Sequence, residues 1–197
     1  MIRLLLATTN PHKITEIRRI LDDLSIILDT LADHPALAEP RETGASFADN
    51  ARLKALHYNH ATGLITVAED SGLEIDALDG APGVRSARFN GDTYPEKFRA
   101  IYDTLRARGR PTSAARFVCV LALARDGAIV YETTGRVDGT IAPAPRGAAG
   151  FGYDPIFFYP PYGRTLAEVS AEEKAAVSHR GQAFRALREY LQKHPIP

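Results

Sequence analysis

The sequence of 197 residues contains a single cysteine, Cys119, and that scarcity excludes several kinds of site. One cysteine cannot form a disulfide within the chain, and no Cys/His cluster has the spacing of a zinc site. Cys119 lies in the apolar run 117–124. We therefore expect an inert, buried thiol rather than a nucleophile.

The chain also lacks net charge, because its 24 basic side chains balance its 24 acidic ones. No long-range field would draw such a protein to nucleic acid or to an anionic membrane, so we expect neither as a partner. Any bound anion must then be held by a local site. No apolar stretch approaches ~18 residues, and no signal-peptide pattern is present at the N-terminus. We therefore expect a cytoplasmic protein.

What the chain does contain is an alternation of short apolar runs and helical stripes, which predicts an α/β fold with a mixed sheet and two lobes in one domain, residues 1–197. The predicted strands cover residues 2–8, 25–28, 64–68, 73–77, 115–124 and 129–135. The predicted helices begin at Pro11 and Ser46, cover 94–108, and begin again at Ser170 with a break at Arg180-Gly181 before 182–193.

The segment Thr8 to Lys13 directly follows the first predicted strand. Asn10 and Pro11 fit the cap and the first position of a helix, so free backbone N–H groups, the positive end of the helix dipole and the Lys13 ammonium meet at one place. Such an arrangement favours phosphate, although the G-x-x-x-x-G-K-[ST] motif of a P-loop is missing. The alternative is a plain helix cap followed by a solvated lysine.

The acidic segment Glu69-Asp70-Ser71-Gly72 follows the predicted strand 64–68. Adjacent acids on a strand point to opposite sides, so only one of the two carboxylates can face a given cleft. A carboxylate at the C-terminal end of a central strand lies where open α/β sheets place ligand chemistry. Glu42 is a candidate for a further metal carboxylate, because Mg²⁺ commonly takes one or two from the protein. The alternative is an acidic turn before a hairpin, with Glu42 as an exposed loop residue.

Two further clusters lie in the C-terminal half. In Gly150-Phe151-Gly152-Tyr153-Asp154-Pro155, the glycines allow close backbone approach and an aromatic ring offers a stacking face for a base; the alternative is a tight turn with two aromatics in the core. On a continuous helix Lys174 would share a face with Ser178 but not with Arg180, so joint action of this cluster requires the break at Arg180-Gly181. The alternative is a solvated helix face.

Taken together and in order, these segments resemble the signature series of the inosine triphosphate pyrophosphatase family over roughly residues 2–192. The matching motifs are Thr8-Thr9-Asn10-x-x-Lys13, Glu42-Thr43-Gly44-x-x-Phe47-x-x-Asn50-Ala51-x-x-Lys54, Glu69-Asp70-Ser71-Gly72-Leu73, Gly80-Ala81-Pro82-Gly83-x-x-Ser86-Ala87-Arg88, Gly150-Phe151-Gly152-Tyr153-Asp154-Pro155 and Ser178-His179-Arg180-Gly181. The chain departs from this pattern at Thr9, where many members carry glycine, and at Glu69, which is often aspartate.

The resemblance implies an elongated mixed β-sheet flanked by helices, two lobes with an active-site cleft between them, and a homodimer. It also implies Mg²⁺-dependent hydrolysis of noncanonical purine nucleoside triphosphates (ITP, dITP, XTP) to the monophosphate and pyrophosphate. Asp70 matches the catalytic base and, with Glu42, the metal ligands. The positions that match substrate contacts are Thr8, Thr9, Asn10, Lys13, Ser71, Phe151, Gly152, Tyr153, Asp154, Lys174, His179 and Arg180.

From these matches we expect Asp70 to orient and deprotonate the attacking water, and Lys13 with Lys174 to stabilise the leaving pyrophosphate. Arg180 can only donate hydrogen bonds. It would therefore pair with the 6-oxo acceptor of hypoxanthine or xanthine and not with the 6-amino donor of adenine. One alternative is a pyrophosphatase for modified pyrimidine or standard nucleotides. Another is a nucleotide- or RNA-binding module without hydrolysis, in which unneutralised acids would repel phosphate.

Overall fold

The computed structural model describes residues 2–194 and has an α/β fold built on one mixed sheet. The strands are β1 (Ile2–Leu6), β2 (Ile26–Thr30), β3 (Ile65–Ile75), β4 (Ala114–Arg125), β5 (Ala128–Ile141), β6 (Phe157–Tyr159) and β7 (Arg164–Thr165). The α-helices are α1 (Pro11–Leu21), α2 (Phe47–Thr62), α3 (Tyr94–Ala107), α4 (Ala171–Val177) and α5 (His179–Lys193).

The seven strands follow the order β2-β1-β3-β4-β5-β6-β7 across the sheet. β1 runs parallel to both of its neighbours, with Leu4 paired to Leu28 of β2 and to Ile65 of β3. At the other end of the order, β6 is antiparallel to β5 and to β7. The predicted α/β class and mixed sheet are therefore confirmed.

The chain divides into two compact units, and each contains its own apolar core. Unit 1 comprises Met1–Asp70, Cys119–Gly135 and His179–Pro197, and unit 2 comprises Ser71–Val118 and Arg136–Ser178. The prediction of a single domain with two lobes stays a prediction.

In unit 1, helices α1 and α5 pack on one face of β1, β3 and β4. Helix α1 begins as its sequence predicts, because Asn10 Oδ1 accepts hydrogen bonds from the backbone N–H groups of His12 (3.0 Å) and Lys13 (3.3 Å). Its apolar stripe supplies Ile17 to a core that it shares with Phe184 of α5. This packing places the first turn of α1 and the start of α5 beside the same strands.

In unit 2, helix α3 supplies the apolar face of the core. Thr93 and Glu96 form a capping box at its start, and Phe98, Ile101 and Leu105 follow at helical spacing into the core. The same core contains aromatic and aliphatic residues of the segment 153–169. Consequently the glycine-rich loop before residue 153 leads directly into residues that are fixed in this core.

Three predicted boundaries are wrong. The segment Glu69-Asp70-Ser71-Gly72 does not end a strand, because β3 continues through it to Ile75. β5 extends to Ile141, beyond the predicted Gly135. The helix that starts at Ser170 breaks at Ser178, whose backbone is extended, and not at Arg180-Gly181. None of the helices within residues 2–194 combines the length and the apolar character needed to cross a bilayer.

Candidate active site

The two neighbouring acids of β3 lie on opposite faces of the strand, as alternation requires. Glu69 contacts side chains of α1, α5 and β4, whereas Asp70 contacts side chains of α2. Both carboxylates are buried. Because β3 stays extended through these residues, one strand delivers a carboxylate to each side of the sheet.

Glu69 is held by three different groups. Its Oε1 lies 2.6 Å from Lys13 Nζ and 3.2 Å from an Nη of Arg180, and its Oε2 accepts a hydrogen bond from Cys119 Sγ at 3.3 Å. Burial alone would raise the pKa of Glu69, but the charges of Arg180 and Lys13 hold it well below the ordinary value. Glu69 is therefore an ionised, buried anchor for two cations.

Arg180 is almost fully enclosed, with a side-chain exposure of 2%. One Nη donates to Glu16 Oε2 at 2.8 Å and the other donates to Glu69 Oε1 at 3.2 Å. In spite of its burial, these carboxylates raise the pKa of Arg180 above its ordinary value. The expected contact of Arg180 with a 6-oxo purine stays a prediction.

Asp70 faces α2. Its Oδ2 accepts a hydrogen bond from Asn50 Nδ2 at 3.0 Å, and its Oδ1 lies 3.4 Å from Lys54 Nζ. Burial raises the pKa of Asp70 above the ordinary aspartate value, while Lys54 and Asn50 act in the opposite direction. A partly desolvated carboxylate with a raised pKa is a stronger proton acceptor, which suits a general base.

Lys54 connects Asp70 to the predicted metal position Glu42. The Lys54 ammonium lies 2.7 Å from Glu42 Oε1. Burial would lower the pKa of Lys54, but the Asp70 and Glu42 carboxylates raise it. Asn50 also fixes the loop that contains Glu42, because its Oδ1 accepts a hydrogen bond from Gly44 N at 2.8 Å.

The donor chemistry of this cluster fits Mg²⁺. The Glu42 and Asp70 carboxylates both contact the Lys54 ammonium, so together they stabilise a positive charge at one position. Among residues 2–194, no group of three or more His, Cys, Asp or Glu side chains is arranged to hold a metal ion. Mg²⁺ needs only one or two carboxylates, with water and phosphate oxygens filling its remaining positions. Glu42 and Asp70 are sufficient by that criterion.

In unit 2 the loop that contains Phe151 is fixed by Asp154. The buried Asp154 Oδ2 accepts a hydrogen bond from Phe151 N at 2.8 Å and from Lys174 Nζ at 2.6 Å. Gly150 has φ +70°, and a Cβ added there would lie 2.2 Å from Asp154 Oδ2, so only glycine fits. Phe151 itself is half-buried.

Tyr153 is placed differently from Phe151. The residue is 4% exposed, its hydroxyl donates to Ser86 O at 2.8 Å, and the Tyr94 ring packs edge to face against its ring with 5.3 Å between centroids. Burial raises the pKa of Tyr153 above the ordinary value. Of the two aromatic residues in this motif, Phe151 is the less buried.

The predicted site residues are divided between the two units. Unit 1 contains Thr8, Thr9, Asn10, Lys13, Glu42, Asp70, His179 and Arg180, and unit 2 contains Ser71, Phe151, Gly152, Tyr153, Asp154 and Lys174. Thr8 Oγ1 accepts from Asn10 N at 3.2 Å, and Thr9 is exposed at the start of the turn. His179 begins α5 and is buried.

Sequence reasoning did not assign five residues of the unit 1 cluster to the site. They are Glu16, Asn50, Lys54, Glu69 and Cys119. Asn50 and Lys54 carried a usable signal, because two polar residues four apart on the inner face of an amphipathic helix need buried partners. Cys119 is buried as expected, and burial raises its pKa.

Comparison with known proteins gives consistent matches over nearly the whole chain. The profile of the Ham1 family matches residues 4–190. A dITP/XTP pyrophosphatase of Thermus thermophilus is 47% identical over 197 residues, covering 99% of this chain and 94% of that protein. Another, from an Exiguobacterium species, is 45% identical over 188 residues, covering 94% of each. A solved HAM1 protein structure from Coxiella burnetii has a TM-score of 0.91 and 40% identity, covering 98% of this chain and 100% of that one.

Proposed function

The chain belongs to the Ham1 family, and we propose that it hydrolyses noncanonical purine nucleoside triphosphates, such as ITP, dITP and XTP, to the monophosphate and pyrophosphate. The two relatives named above as dITP/XTP pyrophosphatases are 45% and 47% identical to this chain, and the matches cover 94% and 99% of it. Removal of such nucleotides from the nucleotide pool is the biological role that we propose.

The observation that carries this proposal is the charge arrangement of unit 1. Lys13 and Lys54 bring two ammonium groups to the two acids of β3, one on each face. Carboxylates alone would repel a triphosphate, whereas cations that alternate with them neutralise phosphate charge. On the α2 face, the Lys54 ammonium together with the Glu42 and Asp70 carboxylates supports a site for a charged anion and its counter-ion.

Asp70 is the general base in our proposal. Its carboxylate accepts the proton of a water aimed at a phosphorus atom, and the hydrogen bond from Asn50 holds it in a fixed orientation. Lys13 binds phosphate oxygens next to the backbone N–H groups at the start of α1. When bound by Glu42 and Asp70, Mg²⁺ would neutralise charge on the phosphate oxygens.

Recognition of the purine base of the substrate is assigned to other residues. Phe151 provides the stacking surface, and His179 and Arg180 stay candidates for contacts with the purine edge. Ser71 directly follows Asp70 on β3 and is proposed as a substrate contact. We further propose that the enzyme is cytoplasmic and works as a homodimer.

The identity of the products tests the proposal. ITP, XTP and dITP would be incubated with the protein and Mg²⁺, and pyrophosphate would be measured separately from orthophosphate. We expect one pyrophosphate per monophosphate and little turnover of ATP, GTP or dUTP. Orthophosphate as the product, or equal rates with ATP and dUTP, would contradict the proposal.

A further inference from the structure

The Lys174 ammonium is shared between a carboxylate and an aromatic ring. It lies 2.6 Å from Asp154 Oδ2 and 4.5 Å from the centroid of the Phe151 ring. The side chains of Lys174 and Asp154 are only 7% and 3% exposed. An ammonium over the face of an aromatic ring is attracted by the ring quadrupole, and the attraction grows when water is excluded.

The same carboxylate oxygen also controls the backbone of Phe151. Asp154 Oδ2 accepts the hydrogen bond from Phe151 N at 2.8 Å, so one oxygen fixes both the residue that presents the ring and the cation behind it. A carboxylate that accepts two such bonds inside the protein restricts both donors. The ring of Phe151 is therefore positioned from two directions.

This geometry differs from the role in pyrophosphate stabilisation that we expected for Lys174. A lysine that binds the leaving pyrophosphate needs its ammonium directed at phosphate oxygens, whereas here the ammonium is enclosed between Asp154 and Phe151. Its positive charge is also matched by an adjacent negative one. Such an ion pair is suited to holding the Phe151 ring in place.

We propose that Asp154 and Lys174 are positioning residues that orient the Phe151 ring as the stacking surface for the purine base. The inference rests on the proposed function, because it assumes that a purine nucleotide is the ligand. It assigns Lys174 to recognition of the base and not to recognition of the triphosphate. Loss of Lys174 should then weaken binding of any ligand that contains the base, whether or not it has β- and γ-phosphates.

The test separates the two halves of the substrate by using the products as probes. Calorimetry would measure the dissociation constants of inosine monophosphate and of pyrophosphate with Mg²⁺, for the wild type and for Lys174→Met. We expect the affinity for the monophosphate to fall about tenfold, since base stacking is of that order, and the affinity for pyrophosphate to change less than about twofold. Lys174→Arg keeps the cation over the ring and should restore monophosphate binding to within about threefold.

Lys97→Met is the matched control. Lys97 Nζ also lies over an aromatic ring of unit 2, 4.9 Å from the centroid of Tyr94, and donates to Ala87 O at 2.7 Å. Its removal should leave monophosphate binding unchanged. If Lys174→Met removes the counter-charge of the buried Asp154 and the variant fails to fold, the double variant Asp154→Asn/Lys174→Met removes both charges and should give the same selective loss.

Three results would overturn the inference: weaker binding of pyrophosphate alone, equal weakening of both products, or no weakening of either. A nuclear magnetic resonance measurement is independent of turnover. The ε-CH₂ protons of Lys174 should show an upfield ring-current shift that disappears in Phe151→Leu, and a normal shift in the wild type would also overturn it. By contrast, a wild type that shows this shift but releases no pyrophosphate from ITP, XTP or dITP would contradict only the proposed function.

Discussion

Unit 1 and unit 2 both bury charged groups, but they do so in different ways. In unit 1 the Glu69 and Asp70 carboxylates are paired with lysines that reach solvent, since the side chains of Lys13 and Lys54 are 20% and 13% exposed, although Arg180 is enclosed. In unit 2 the Asp154–Lys174 pair is more completely enclosed and is joined to an aromatic ring. An ion pair that reaches solvent can exchange a partner for a ligand, whereas an enclosed pair keeps its partners.

This difference suggests a division of work between the two sets of charges. The cluster with Glu69 and Asp70 contains cations that can transfer from a carboxylate to phosphate. The pair with Asp154 contains a cation that is fixed by its surroundings. We therefore expect substitutions at Glu42 and Asp70 to change the rate of reaction, and substitutions around Asp154 to change affinity or stability.

The strongest test of the comparison is Asp70→Asn. The amide keeps the shape of the side chain but cannot take a proton from water, so turnover of ITP should fall about 10²–10⁴-fold with little change in substrate binding. Single-turnover rates and the dissociation constant of ITP measure the two effects. Asp126→Asn, in the exposed β4–β5 turn, is the control and should keep the wild-type rate. A wild-type rate in Asp70→Asn would remove this residue from its proposed role.

The next largest effect is expected from Glu69→Gln. The change removes the buried carboxylate that pairs with Lys13 and one of the carboxylate partners of Arg180, so the free energy of unfolding should fall by ~3–5 kcal/mol. Glu132→Gln removes a more exposed carboxylate, the partner of Arg52, and should reduce the free energy of unfolding much less. Urea denaturation measures both variants, and equal losses would show that burial of the Glu69 cluster has no special importance.

The Glu69 variant also has an expected pH dependence. Because the folded-state pKa of Glu69 lies well below the ordinary glutamate value, its stabilising contribution is present above that ordinary value. The contribution is lost as the pH falls toward the lowered pKa. The difference in unfolding free energy between wild type and Glu69→Gln should therefore shrink in acid, and a difference that grows would contradict this sign.

Metal removal tests whether the Glu42 and Asp70 carboxylates bind a cation. Excess chelator should abolish turnover, and Mg²⁺ should restore it. In Glu42→Gln the Mg²⁺ concentration for half-maximal rate should rise about tenfold, since one carboxylate ligand is lost. Glu39→Gln alters an exposed acid of the same loop and should leave the Mg²⁺ requirement unchanged. An unchanged requirement in Glu42→Gln would place the metal elsewhere.

The smallest effect is expected in unit 2 from Tyr153→Phe. The ring stays in the core, but Ser86 O loses its hydrogen bond, so the free energy of unfolding should fall by ~1 kcal/mol. Tyr102→Phe removes a similar bond to Ala142 O and should give a comparable or smaller loss, because Tyr102 is less buried. A loss above ~3 kcal/mol in urea denaturation would show that the hydroxyl has a further structural role.

Local features of this molecule were predictable from sequence because they depend on neighbouring residues. The Asn10 cap and the Ser46–Asp49 capping box arise from spacings of two or three residues, and the structure contains both. The contact between Asp154 and the loop at Gly150 is equally local, because only four positions separate the two residues. Such contacts need no knowledge of the tertiary fold.

Other features depend on residues that are far apart in the chain. Glu69 and Arg180 are separated by 111 positions, and no local pattern predicts that they meet. The sequence Glu69-Asp70-Ser71-Gly72 resembles a turn because four such residues rarely occupy a buried strand. Their partners on α1, α2 and α5 compensate the charges, and so β3 continues through them.

The continuity of β3 also restricts how this protein can vary in evolution. A strand slip of one position would turn the Asp70 carboxylate toward Cys119 and the Glu69 carboxylate toward α2. An insertion or deletion of one residue between Ile65 and Glu69 would therefore exchange the proposed proton acceptor with the anchor of the cations. Homologues should vary in which amino acids occupy this stretch, but not in its length.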